Sequence, residues 1–161
     1  MTSQLLGSNN FALLPHLMAL AVAYVLAFPI GWNREREERS AGLRTFPLVA
    51  IATCGFVQAA ESLVADSPEA MARIIEGLIT GMGFIGGGAI LRQADSVKGT
   101  ATAASLWVTG AIGVSVGLGS YDVAVVLSVA TVITLWAMEP LKRAGHLDTD
   151  EQKAAERKRK T

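Results

Sequence analysis

The sequence predicts an all-α fold, an integral membrane bundle of five transmembrane helices with the N-terminus outside and the C-terminus inside. Three observations predict it. Charge is segregated: Lys+Arg and Asp+Glu balance at 14 each, yet Phe11–Trp32 and Thr100–Tyr121 contain none of the four residue types. Each run is long enough to cross a bilayer core, which takes roughly 20 apolar residues per helix. The stretch Gly77–Leu91 holds six glycines without one charge. In water such a run would be a loop, but Phe84, Ile85, Ile90 and Leu91 among the glycines suit a membrane helix, where small residues let backbones approach. Finally, the basic residues sort cleanly once five spans are drawn.

The first apolar segment, 11–32, carries Pro15 in its first turn, where proline is tolerated, and Pro29 near its end, where a kink is expected. The polar block Asn33–Arg44 reads as a solvated loop or a short helical extension. The second segment, 43–64, begins with Pro47 in its first turn. Its uncharged part, Phe46–Ala60, is short for a span, and Glu61 follows. The third, 71–91, lies after the polar Asp66–Glu69 and before a loop, Arg92–Gly99. The fourth, 100–118, is rich in Ala, Ser, Thr and Gly. A tight turn at Gly119–Asp122 leads into the fifth, 123–139, which Pro140 stops. Residues 1–140 thus form one five-helix domain, and 141–161 a basic cytoplasmic tail expected to fray. No basic segment precedes Phe11, so no cleaved leader is expected. The single Cys54 excludes an internal disulfide, and the balanced charge points to no nucleic-acid partner.

The positive-inside rule sets the orientation. Arg34, Arg36, Arg39, Arg44, Arg92, Lys98, Lys142, Arg143, Lys153, Arg157, Lys158, Arg159 and Lys160 fall on one side, and only Arg73 on the other. The outer side then holds Glu61, Asp66, Glu69, Glu76 and Asp122. Short polar loops are the simpler reading of these acids; a cation-concentrating mouth is the sharper one.

Gly81-Met-Gly-Phe-Ile-Gly86 matches the dinucleotide fingerprint by letter. The fingerprint needs a preceding strand and a later acid, and Val97–Tyr121 has no carboxylate, so no cofactor is expected. On a helical wheel, Gly77, Gly81 and Gly88 fall on one face of the third segment, and Gly83, Gly86 and Gly87 on another. Two small faces imply a central helix with close neighbours on both sides. Ala103, Gly110, Gly113 and Gly117 share an arc of about 80° on the fourth segment and are expected to dock on the third. The alternative makes Gly86–Gly88 an unwound break lining an ion site. Arg44 and Arg92 stand where side chains snorkel to the interface. Arg73 and Glu76 are spaced to pair. No His/Cys/Asp/Glu cluster has metal-site spacing and no nucleophile has a base, so neither a metal site nor a catalytic residue is expected.

Several blocks in order then carry a resemblance. Gly31-x-x-Arg34, Ala41-Gly-Leu-Arg-Thr45, Gly81-x-Gly-Phe-Ile-Gly-x-Gly-x-Ile-Leu91, Lys98-Gly99 and Thr102-Ala-Ala-Ser-Leu-Trp107 resemble the MgtC/SapB family of bacterial membrane proteins, over about Leu20–Met138. The resemblance implies a non-enzymatic inner-membrane protein of magnesium or cation homeostasis, linked in some members to survival inside host cells. The resemblance further implies action through contacts with membrane partners, since one member of the family acts on the F-type ATP synthase. A small, oligomeric cation transporter or channel is the alternative. The candidate functional residues are Arg34, Arg44, Glu76, Gly81, Gly83, Gly86, Gly88, Lys98, Thr102 and Trp107. The chain departs from the family at Asn33, where a glutamate is common, at Ala101, where a polar residue is usual, and at Gly77, where glutamine is common. Longer members also add a soluble C-terminal domain.

Overall fold

The computed structural model describes residues 13–37, 41–64, 67–93 and 96–138. The tail 141–161 lies outside the described residues. Five helices follow one another: α1 (Leu13–Arg36), α2 (Thr45–Val64), α3 (Pro68–Gly88), α4 (Thr100–Gly117) and α5 (Tyr121–Met138). The five-helix, membrane-type fold expected from the sequence is the fold observed. α1, α4 and α5 are each long and apolar enough to cross a membrane. The apolar part of α2, Thr45–Glu61, is shorter, and α3 carries Glu69, Arg73 and Glu76 in its first half.

Among the described residues one element is not helical. Leu91–Gln93 (β1) and Ser96–Lys98 (β2) form an antiparallel hairpin where the sequence reads as a plain loop. Gly99 ends it with a positive φ of 91°, a conformation that costs glycine little. A Cβ there would also overlap the Ala89 carbonyl oxygen, so the residue joining hairpin to α4 has two reasons to be glycine. Gly119, with φ 76°, turns α4 into α5.

Helix ends follow local chemistry. The Ser67 hydroxyl caps α3 by accepting from the Ala70 N–H at 3.3 Å, and Pro68 occupies the first helical position. α1 runs through Pro29 and on through Asn33 and Arg34 to Arg36. The helix therefore takes in part of the polar block, and it ends with cations in its last turn, where the helix dipole favours them.

The centre of the bundle is the pair α2 and α4, not α3. The largest interface is between α2 and α4, followed by α1 with α2. Four residues of α4 decide the arrangement. Ala103 faces Gly86 and Gly110 faces the Met82 side chain, both on α3, whereas Gly113 and Gly117 face Ala50, Cys54 and Val57 on α2. The small arc of α4 is thus shared between two helices. Packing on α2 runs parallel and on α3 antiparallel, as up-down connection requires. α1 contributes the ridge Ala19, Ala23, Ala27 and Ile30, one residue per turn, and the Ser128 hydroxyl of α5 donates to the Leu26 carbonyl of α1 at 2.7 Å.

The glycines of α3 behave differently from the two-faced packing expected of them. Space is open around Gly77, Gly81, Gly83, Gly87 and Gly88, and only Gly86 meets a neighbour, the Ala103 carbonyl oxygen. The wheel gave their directions correctly but could not say which faces are covered. α3 lies at the rim, and the triplet Gly86–Gly88 is α-helical, with the chain leaving the helix only at Ala89.

Candidate functional site: the buried arginine end of the bundle

The end of α1, the start of α2, the hairpin and the start of α4 meet at one end of the bundle. α1 approaches the 41–45 turn closely because of Gly31. A Cβ at that position would sit 3.3 Å from both the Gly42 carbonyl oxygen and Phe46 Cβ. One turn further, Asn33 and Arg34 are both buried, each at 6% exposure. The Asn33 amide oxygen accepts from Arg34 Nε at 3.1 Å and from its Nη2. A guanidinium withdrawn from water keeps its charge and must be held by acceptors. Asn33 supplies one such acceptor from the neighbouring position.

Glu35 completes the joint. Its carboxylate accepts from the Leu43 N–H at 3.1 Å, placing a negative charge beside the chain entering α2. Gly42 leaves room for it, since a Cβ there would overlap Glu35 Oε2. Glu35→Gln is expected to lower stability by about 0.5–1 kcal/mol by weakening this charge-assisted bond, and less in high salt. Unfolding in mixed micelles at two salt concentrations would measure it.

On α4 the buried hydroxyls Thr102, Ser105 and Thr109 share one face. Ser105 donates to the Ala101 carbonyl at 2.7 Å and Thr109 to the Ser105 carbonyl at 2.8 Å, and on α2 Thr53 donates to the Val49 carbonyl at 3.0 Å. The Ser105, Thr109 and Thr53 hydroxyls are each satisfied within their own helix, so this part of the seam is closed by backbone acceptors.

The sequence-predicted residues divide accordingly. Arg34 and Thr102 are buried at this end, Gly86 packs beside Thr102 on Ala103, and Arg44 and Lys98 are exposed around it. Trp107 faces outward on α4 and is 47% exposed. Glu76 lies on the rim helix, together with Gly81, Gly83 and Gly88, and belongs to a different surface. The expected Arg73–Glu76 pair is not formed. Among the described residues, no three His, Cys, Asp or Glu side chains converge on one ion position. Asn33, Glu35 and Gly42 were missed as site residues. Their signal was present, because they flank or fill the blocks around Arg34 and Arg44.

The comparison with known proteins draws on this same region. The MgtC family model matches residues 20–144. The chain belongs to the MgtC family. Protein MgtC of Salmonella typhimurium is 37% identical over 136 residues, covering 84% of this chain and 56% of the relative. Protein SrpB of Synechococcus elongatus is 34% identical over 140 residues, 80% of this chain and 77% of the relative. Protein MgtC of Brucella abortus is 36% identical over 122 residues, 76% of this chain and 50% of the relative. The chain thus spans about half the length of the MgtC relatives it matches. No solved structure matches it. As an MgtC-family chain with three helices able to cross a bilayer, it is a membrane protein.

Proposed function

We propose that this MgtC-family chain is a bacterial inner-membrane protein of magnesium homeostasis that acts without catalysis, by contact with other membrane proteins. Family membership over residues 20–144 carries the magnesium assignment. The Ser105, Thr109 and Thr53 hydroxyls support contact over passage, since these donors are spent on their own helices. The surface offered for contact is the buried-arginine end, with exposed Arg44 and Lys98 around it.

The five helices span the membrane, with the C-terminus inside. The partition of basic residues favours this orientation. Three exposed tryptophans gather at one end and mark it as a membrane–water boundary, whichever side it faces: Trp32 near the end of α1, Trp107 in the second turn of α4 and Trp136 in the last turn of α5. Tryptophan concentrates at the membrane–water boundary, and Arg34, Arg44 and Lys98 lie at that same end.

In liposomes the purified chain is expected to pass no Mg²⁺ above the protein-free background. In cells, a photo-cross-linker at Lys98 is expected to capture a membrane protein, with an F-type ATP synthase subunit the first to look for. A Mg²⁺ flux that Glu76→Gln abolishes would replace this reading by the transport one. A reporter fused after Thr161 should be active only as a cytoplasmic fusion; periplasmic activity would reverse the orientation.

A further inference from the structure

The outer face of α3 is unlike the other exposed surfaces of the bundle. Met82 and Gly86 point inward. Opposite them lie Glu69, Arg73, Glu76, Thr80, Phe84 and Gly87, all exposed and spaced by threes and fours, which makes them one continuous stripe. By contrast, α5 turns Val125, Val126, Val129 and Ile133 outward, a surface suited to lipid.

This stripe runs beside a membrane-crossing helix, because Met82 packs on Gly110 and Gly86 lies on Ala103. Arg73 and Glu76 stand five and eight residues inside Pro68, about 8 and 12 Å along the axis. Ionisable side chains within a membrane segment normally face protein or a water-filled space and pair with one another. Among the described residues, neither the Arg73 nor the Glu76 side chain has an ion-pair partner, and the Thr80 hydroxyl donates to the Glu76 carbonyl of its own helix. Lipid against this face would leave both charges unanswered.

The charges along the stripe read acid, base, acid, and such a run is its own complement. When two copies enter the membrane in the same direction, their α3 helices run parallel. Arg73 of each then lies about one helical turn from Glu69 and Glu76 of the other, about 6 and 4.5 Å along the axis respectively. Further along, the open space at Gly83 and Gly87 lets two backbones approach, and Phe84, 86% exposed, fills the seam between them. We propose that α3 is the seam at which two copies of this chain pair, side by side and parallel, through Glu69, Arg73, Glu76 and Thr80. This seam is separate from the buried-arginine end and from the magnesium assignment.

Cysteine cross-linking of the full chain in native membranes tests it. With Cys54→Ala as background, Thr80→Cys and Gly87→Cys should each form a disulfide-linked dimer about tenfold more than Val126→Cys on α5, a factor corresponding to about 1.4 kcal/mol. Adding Arg73→Glu to Thr80→Cys should reduce the dimer by about tenfold, and adding Glu76→Arg as well should restore it. All these residues point away from the chain's own core, so each variant should reach the membrane in wild-type amount. Restoration by the double charge reversal also excludes misfolding as the cause of the loss. Equal cross-linking at Val126, no dimer at either α3 position, no effect of Arg73→Glu, no rescue, or disulfide capture of a different protein would each overturn the proposal. The readout is dimer formation alone, so it stands or falls independently of any magnesium phenotype.

Discussion

Gly113→Leu is expected to break the bundle. Gly113 is where α4 crosses α2 most closely, and a Cβ there would overlap both the Ala50 carbonyl oxygen and Thr53 Oγ1. The carbonyl is backbone, so no rotamer change relieves the overlap, and the helices must separate. A turn later, a Cβ at Gly117 would lie 2.7 Å from Val57 Cβ and 3.0 Å from the Cys54 carbonyl oxygen, so the separation cannot be absorbed there. Overpacking a tight core costs about 1–3 kcal/mol, and against two backbones the upper end is expected. In a membrane the loss is not offset by a hydrophobic term, because helix association there rests on close packing. Unfolding in mixed micelles should give Gly113→Leu the lowest midpoint of a glycine series, with Gly113→Ala also clearly destabilised. Gly81→Ala should leave the single chain's stability within about 0.5 kcal/mol of wild type, as is usual for open surface positions. If Gly81→Ala and Gly113→Ala were equally damaging, the central place of α4 would be wrong.

The contrast between these two glycines also marks what the sequence could tell. Charge-free runs, turn residues and glycine content made the five helices legible, because each reflects a local demand of the bilayer or the backbone. The wheel made the small-residue faces legible as directions. It could not say that Gly113 meets a helix and Gly81 meets none, since both are glycine on an apolar helix. That distinction depends on which helices are neighbours. It was the partner helix, not the face, that sequence reasoning got wrong, by docking α4 on α3 along its whole length. Likewise, Arg34 was marked by its motif. Its burial was not foreseeable, because an Arg- and Glu-rich block reads as solvated until Gly31 is seen to admit the 41–45 turn. The hairpin was hidden for a related reason, each strand having only three residues and no alternating pattern of useful length.

Asn33 and Arg34 give the second large effect. Asn33→Leu is expected to destabilise the chain by about 2–3 kcal/mol, because it removes an acceptor from a buried charge that cannot neutralise itself. Asn33→Asp should hold or raise stability. The acceptor stays in place and gains a charge, turning two hydrogen bonds into an ion pair. Arg34→Met removes the charge itself and leaves only the neutral Asn33 amide oxygen short of these donors, so it should cost less than Asn33→Leu. The decisive measurement is the double variant. If the asparagine acts by holding the guanidinium, Asn33→Leu with Arg34→Met should cost less than the two single changes added, with a coupling of about 1–2 kcal/mol. Additive losses would mean that Asn33 merely fills space. The order of the four variants therefore separates an acceptor from a filler.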